Sequence, residues 1–330
     1  MMLADRDLGS NQSEGSDRSL AIKVAVILLA ALAIMFAPVP VDLKLAKTAA
    51  TAMVGKGIAV TGNSVISHVS KCDANPVPLA AMIGPSAGRR SFDISYPGQS
   101  MPEGLNFGRI ALSNRRAEAV VVFVSLAQII SGGQPDLRTQ SFFRLAGGNL
   151  AVNDLGPRLR ALDPIAAKLP HQLDGFEYHG VRYPPYNKLK TQYLLPERLA
   201  QGCPETIGVN RAFIEALYWN NYLNGPLIAS YVDDLHKLSQ SAARSGKPVM
   251  FVLLPIDFED IRTLNPELMR NIAARRDELL RLARGRIEFH DLTEAVPAQG
   301  FADRWCGCGH LQESGRKIVA DRVAQMLAAR

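Results

Sequence analysis

Two stretches of this chain hold residues whose types and spacing suit covalent acyl chemistry. The first is Ile83-Gly84-Pro85-Ser86-Ala87-Gly88, which follows the short apolar run Pro78–Ile83. If that run is a strand, Ser86 sits on a sharp strand-to-helix turn. Its hydroxyl is then exposed at a sheet edge, and its small neighbours let backbone amides face an oxyanion. The same string also reads as a plain Gly/Pro turn with a capping serine. The second is Phe301-Ala302-Asp303-Arg304-Trp305-Cys306-Gly307-Cys308-Gly309-His310-Leu311, followed by Glu313-Ser314-Gly315-Arg316 and a terminal helical pattern. A histidine in such a loop takes a proton from a serine, and a nearby aspartate holds its ring in the needed tautomer. The expected roles are therefore Ser86 as nucleophile, His310 as base and Asp303 as its orienting carboxylate.

These groups need a scaffold. The chain has 330 residues, 47% apolar and 21% charged, which excludes a wholly disordered protein. From residue 76 onward, strand-like runs alternate with helical patterns. Ala119–Leu126 and Val249–Leu254 read as strands buried on both faces, and Arg286–His290 as a short strand. Pro226–Arg244, Asn265–Arg284 and Glu313–Ala329 show helical spacing, the first stopped by Gly246-Lys247-Pro248. The expected fold class is α/β, a three-layer α/β/α arrangement around a central, mostly parallel sheet. The stretch 131–225 is rich in Gly, Pro, Asn and aromatics and reads as an insertion capping the sheet edge or as a substrate surface. Tyr178, Tyr183, Tyr186, Tyr218, Trp219 and Tyr222 within it are candidates for stacking on sugar rings or for ordinary packing.

The amino terminus bears on where the chemistry takes place. Residues 1–19 are polar and read as a disordered tail. From Val24 to Val41 there are 18 residues without a charge, about the shortest run that spans a bilayer core as a helix. A core helix, a cleaved signal peptide and an uncleaved anchor all compete, and the length favours the anchor. The expected organisation is a tail (1–19), a transmembrane anchor (20–41), a linker and domain entry (42–75) and an α/β domain (76–330). Flanking lysines and arginines do not decide the orientation. The net charge of +6 is mild and no long basic run appears, so no nucleic-acid partner is expected; an acidic glycan or anionic lipid fits such a surface.

An early serine after a first strand, with a late Asp/His loop before the last helix, resembles the SGNH/GDSL hydrolase superfamily. Within it the chain looks most like the membrane-anchored branch acting on cell-envelope polymers, which includes alginate O-acetylation and teichoic-acid D-alanylation proteins. The likeness covers about 76–130 and 226–330. It implies Gly84-Pro85-Ser86 as the nucleophile block and Leu105-Asn106-Phe107-Gly108 as the second block, whose Gly108 amide, with that of Ser86, serves the oxyanion. Ser125-Leu126-Ala127-Gln128 stands near the third block, where Gln128 replaces the family's asparagine. Lys247–Pro255 is similar to the late core strand. The usual final spacing is Asp-x-x-His, whereas here Gly307 holds that position and Asp303 lies seven residues before His310. A literal Gly84-x-Ser86-x-Gly88 also fits an α/β-hydrolase elbow, but only about 45 residues lie between the expected membrane span and Ser86, and no HGGG-type segment precedes it.

Cys72, Cys203, Cys306 and Cys308 form an even set, read here as disulfide candidates, with Cys306 or Cys308 bonded to Cys203 or Cys72. Free buried cysteines are one alternative; a metal at Cys306-x-Cys308-x-His310 is another, although that is not a usual zinc spacing. The resemblance implies an O-acyltransferase or esterase without metal or cofactor, held at the cytoplasmic membrane with its domain on the periplasmic side. The implied partners are the membrane, a polysaccharide or lipid-linked glycan, and a membrane-embedded acyltransferase. An accessory or glycan-binding protein on the same fold is the other class, favoured by the altered Asp/His spacing and the missing asparagine.

Overall fold

The computed structural model describes residues 25–26, 40–70, 73–131, 176–183, 211–302 and 309–329. Five parallel strands form the central sheet: β1 (Gly57–Thr61), β2 (Ser91–Asp93), β3 (Ala117–Val124), β6 (Val249–Leu253) and β7 (Phe289–Asp291). Their spatial order is β2-β1-β3-β6-β7. A separate antiparallel hairpin pairs β4 (Phe176–Tyr178) with β5 (Val181–Tyr183).

The central strands are apolar along their length because each face is covered. On β3, Val120, Val122 and Val124 enter one core, while Ala119, Val121 and Phe123 enter the other. The first core is closed by α1 (Pro40–Val54), α4 (Met101–Ser113), α5 (Leu126–Ser131), α6 (Arg211–Tyr222), α7 (Ala229–Ser245), α8 (Phe258–Leu264) and α9 (Pro266–Ala283). The second is closed by α2 (Ser64–Ser67), α3 (Leu79–Ser86) and α10 (Glu313–Ala328). This is the expected layered α/β architecture, and the expected strands at 119 and 249 and the three long helices are present within a few residues. Gly246 ends α7 with φ 67°, a left-handed conformation that glycine adopts without a Cβ clash.

Two expectations change. Residues 42–75 are not a linker: they contain most of α1, all of β1 and all of α2, and β1 is an interior strand between β2 and β3. Pro78–Ile83 is not a strand; Pro78 caps a helix that continues to Ser86. Leu, Ala and Met favour a helix, Ile83 is the run's only β-branched residue, and Leu79, Ala80 and Ile83 share one buried face. The uncharged run 24–41 lies almost wholly outside the described residues. Among the described residues, no helix is long and apolar enough to cross a membrane.

Candidate active site

The carboxyl edge of a parallel sheet is where connecting loops gather functional groups. Strand β1 ends there and runs directly into Gly62-Asn63-Ser64. Asn63 caps α2, its side chain accepting from the Val65 N–H at 3.0 Å. Ser64 is thereby the first residue of α2, where N–H groups have no intrahelical acceptor. The Ser64 side chain is half-buried, and Ser64 Oγ lies 3.3 Å from His310 Nε2.

His310 reaches this position through a short backbone clamp. Phe301 and Leu311 form an antiparallel bridge, Ala302 N–H donates to the His310 carbonyl at 2.7 Å, and Gln312 N–H donates to the Gly300 carbonyl at 2.9 Å. Gly300 and Gly315 permit this closeness, because a Cβ on Gly315 would stand 2.3 Å from the Gly300 carbonyl oxygen. A second imidazole flanks the first, with the His68 and His310 ring centroids 4.6 Å apart.

A fully buried arginine joins the two arms. From α10, Arg316 Nη1 donates to Asp73 Oδ2 at 2.7 Å and to the Leu311 carbonyl at 2.9 Å, and Nη2 donates to the Asn75 carbonyl at 2.7 Å. Asn75 Nδ2 in turn donates to Glu313 at 2.8 Å. The segment after Ser64 is thus tied to the residue after His310. Buried Gln99 steadies the other flank. Its Oε1 accepts from the Thr61 hydroxyl at 3.2 Å and from the Gly62 N–H at 3.3 Å, and its Nε2 donates to the Ile94 carbonyl at 3.0 Å. Asp93, at the end of β2, is held above the usual carboxylate range by burial, an effect that hydrogen bonds from Ser95 offset only in part.

The expected nucleophile is elsewhere. Ser86 is the last residue of α3, exposed, and its hydroxyl donates to Asp321 on α10 at 2.8 Å. Its helix end lies against the start of β2, where Gly84 N–H donates to Ser91 Oγ at 3.1 Å. Ser86 therefore occupies the amino edge of the sheet, a strand's length from His310. Gly108 does not serve an oxyanion either: it lies inside α4, and a Cβ there would press on Leu238 of α7 at 3.3 Å, so it is a packing glycine. Gln128 is at the carboxyl edge, but its Nε2 donates to the Gln99 carbonyl at 2.6 Å and so secures the loop after β2. Asp303 and the four cysteines lie outside the described residues, as do most of residues 131–225. Among the described residues, no group of His, Cys, Asp and Glu is arranged to hold a metal ion.

Sequence reading missed Ser64, His68, Gln99 and Arg316. The available signal was Gly57–Thr61, a strand-like run ending in a glycine and an asparagine N-cap immediately before a serine.

The aromatic expectations divide. Tyr218 and Tyr222 are buried in the first core, and Trp219 packs against it. Tyr183 is also buried, stacked on Phe176. The Tyr178 hydroxyl donates to Glu215 at 2.7 Å, and burial with that carboxylate beside it pushes its pKa above the normal tyrosine range. Tyr186 lies outside the described residues.

No protein-family model matches this chain, and no curated protein matches it. Two solved structures are similar in shape. One is a protein provisionally assigned as a platelet activating factor from Streptococcus pneumonia, with a TM-score of 0.40 and 11% identity, covering 92% of this chain and 98% of that one. The other is a carbohydrate esterase family 2 enzyme with a carbohydrate binding domain from Corynascus thermopiles (Myceliophthora fergusii), with a TM-score of 0.31 and 12% identity, covering 83% of this chain and 66% of that one. Both TM-scores are below 0.5.

Proposed function

We propose that this protein is a serine-dependent esterase or O-acyltransferase whose nucleophile is Ser64 and whose base is His310. One observation carries the reading: Ser64 Oγ stands 3.3 Å from His310 Nε2 at the carboxyl edge of a parallel sheet. That distance is slightly beyond a tight hydrogen bond, as is common for catalytic pairs before substrate binds.

In the reaction, Nε2 carries a lone pair and takes the hydroxyl proton as Oγ attacks an ester carbonyl. Charge gathers on the carbonyl oxygen, and the Ser64 N–H, at the start of α2, is assigned as a donor to it. Collapse expels the alcohol, which takes the proton from His310 and leaves an acyl-Ser64 ester. His310 then deprotonates water or an acceptor hydroxyl, which attacks that ester, and returns the proton to the departing Ser64 oxygen. Asp303 is assigned to this scheme as the carboxylate that orients His310; its chain neighbour Ala302 is hydrogen-bonded to the His310 carbonyl, which supports that role. The run 24–41 is assigned as a membrane anchor, with the domain on the periplasmic side. A polysaccharide or lipid-linked glycan is the acceptor, and the acyl donor is supplied through a membrane-embedded acyltransferase.

The test is covalent labelling of the full-length protein with a fluorophosphonate, read by intact mass. A single adduct is expected on the parent and on Ser86→Ala, and none on Ser64→Ala or His310→Ala. An adduct that survives in Ser64→Ala, or disappears in Ser86→Ala, overturns the assignment.

A further inference from the structure

The backbone around His310 is fixed, but that does not fix its ring. Hydrogen bonds at Ala302 and Gln312 hold the chain on either side. The torsion that turns an imidazole about its Cβ–Cγ bond, by contrast, has a broad, roughly two-fold profile and selects no single plane. A carboxylate on one ring nitrogen chooses the tautomer, yet the ring can still swing about that hydrogen bond. A contact on the face of the ring is needed to keep Nε2 on Ser64.

One turn of helix supplies that contact. Ser64 opens α2 and His68 caps its end, with the His68 N–H donating to the Ser64 carbonyl at 2.7 Å. Residues four apart on a helical turn share one side of it. Here both meet His310. Ser64 Oγ lies 3.3 Å from Nε2, and the His68 ring lies 4.6 Å from the His310 ring between centroids, with an interplanar angle of 39°. That separation is within the range of about 4.5–7 Å preferred by aromatic pairs, and the tilt avoids the face-to-face sandwich that they disfavour. The turn itself is firmly seated. Val65 and Ile66, between the two residues, are buried in the second core. Gly62 makes room for Ile66, because a Cβ there would stand 2.6 Å from Ile66 Cγ1. Asn63 caps the front of the turn. The His68 ring is thus carried on anchored backbone, as a group that sets another's geometry must be.

We propose that His68 is a positioning residue, whose ring packs against His310 and holds Nε2 on Ser64 Oγ. It acts by the shape of its ring and not by its charge. The proposal rests on the assignment of Ser64 and His310 and adds the residue that keeps that pair in line. Phenylalanine is therefore expected to serve in its place. Glutamine, which keeps a hydrogen-bonding group and loses the ring, is not.

The test follows the rate of fluorophosphonate labelling of the full-length protein in neutral detergent micelles. A range of probe concentrations separates the limiting rate from the half-saturating concentration. His68→Gln and His68→Ala are expected to lower the limiting rate about ten- to hundred-fold, the scale of loss when a reacting group is misplaced by about 1 Å, and to leave the half-saturating concentration unchanged. His68→Phe is expected to keep the parent's limiting rate, with His68→Tyr as the second aromatic variant should the first not fold. Thermal melts of the glutamine and aromatic variants are expected to agree, which separates rate from stability. A parent-like limiting rate in His68→Gln overturns the proposal. So does an equal loss in the aromatic variants, which would make the imidazole's own proton the property that matters. A change confined to the half-saturating concentration also overturns it, because His68 would then act on the ligand and not on His310. Ser64→Ala is the reference. Labelling that persists there overturns the nucleophile assignment and this role with it, whereas labelling lost there but parent-like in His68→Gln overturns the role of His68 alone.

Discussion

The proposed reaction requires His310 Nε2 to accept the Ser64 hydroxyl proton. Loss of either side chain removes the proton transfer, and replacement of His310 by alanine is expected to lower turnover by about 10²–10⁴-fold, measured on a p-nitrophenyl ester. Asp303→Asn is expected to fall within a similar range if its carboxylate fixes the ring tautomer. Asp93 makes a prediction about stability. Burial raises its folded-state value above the ordinary 3.8, so the ionised form costs stability once the pH is above the folded value. Below pH 3.8 the group is protonated in both states and the cost disappears. Asp93→Asn, which keeps an oxygen for the Ser95 bonds, is therefore expected to raise the melting temperature at pH 7. That advantage should vanish as the pH falls below 3.8, in thermal melts at stepped pH.

At the scale of elements, the site depends on two arms of chain far apart in sequence. Arg316, with no exposure, holds them through Asp73, the Asn75 carbonyl and the Leu311 carbonyl. Removing one partner of a buried ion pair strands the other charge, so Arg316→Met is expected to cost about 3–5 kcal/mol in urea unfolding. Arg316→Lys keeps the charge but loses the two-pronged geometry, and is expected to be intermediate. The contact between α10 and the turn at Ala298–Gly300 is a second sensitive point. Gly315→Ala puts a methyl 2.3 Å from the Gly300 oxygen, so the helix must shift. Its expected cost is about 1–3 kcal/mol, with a slower fluorophosphonate reaction because His310 moves with the helix.

Among the described residues, two large apolar cores share the central sheet, and a smaller cluster of Tyr183, Phe213, Ala216 and Leu217 lies apart from them. Leu235 of α7 and Val323 of α10 are both fully buried, on opposite faces of the sheet. Truncation of Leu235 to alanine is expected to cost about 2–5 kcal/mol, and Val323→Ala somewhat less. Because β3 contributes alternate residues to both cores, each variant should show one unfolding transition by circular dichroism. Two separated transitions would mean that the layers unfold independently. The parallel topology also separates two groups of residues: Ser64 and His310 lie at one edge, and the basic strand entries Arg90 and Arg116 at the other.

The elements legible from the residues alone were those with long-range internal regularity. The β-branched run at Val120–Val124, the apolar stripes of α7 and α9, and the Gly246 stop each carry their own local physics, and His310 was marked by its place before the last helix. The three-layer α/β class followed from their alternation. Ser64 was hidden because β1 is five residues long and sits behind a helix that reads as linker, so nothing local distinguishes its serine from Ser86 in a glycine-rich turn. Only the packed structure separates the two. The crossover from β1 through α3 brings Ser64 to the carboxyl edge, and the same crossover carries Ser86 back to the amino edge, against Asp321. Arg316 was equally silent, because Asp73 and Asn75 lie more than 240 positions away and burial alone makes the pairing decisive. The residue types and the secondary structure are written into the chain. Which serine meets the histidine is set by the order and direction in which strands add to the sheet.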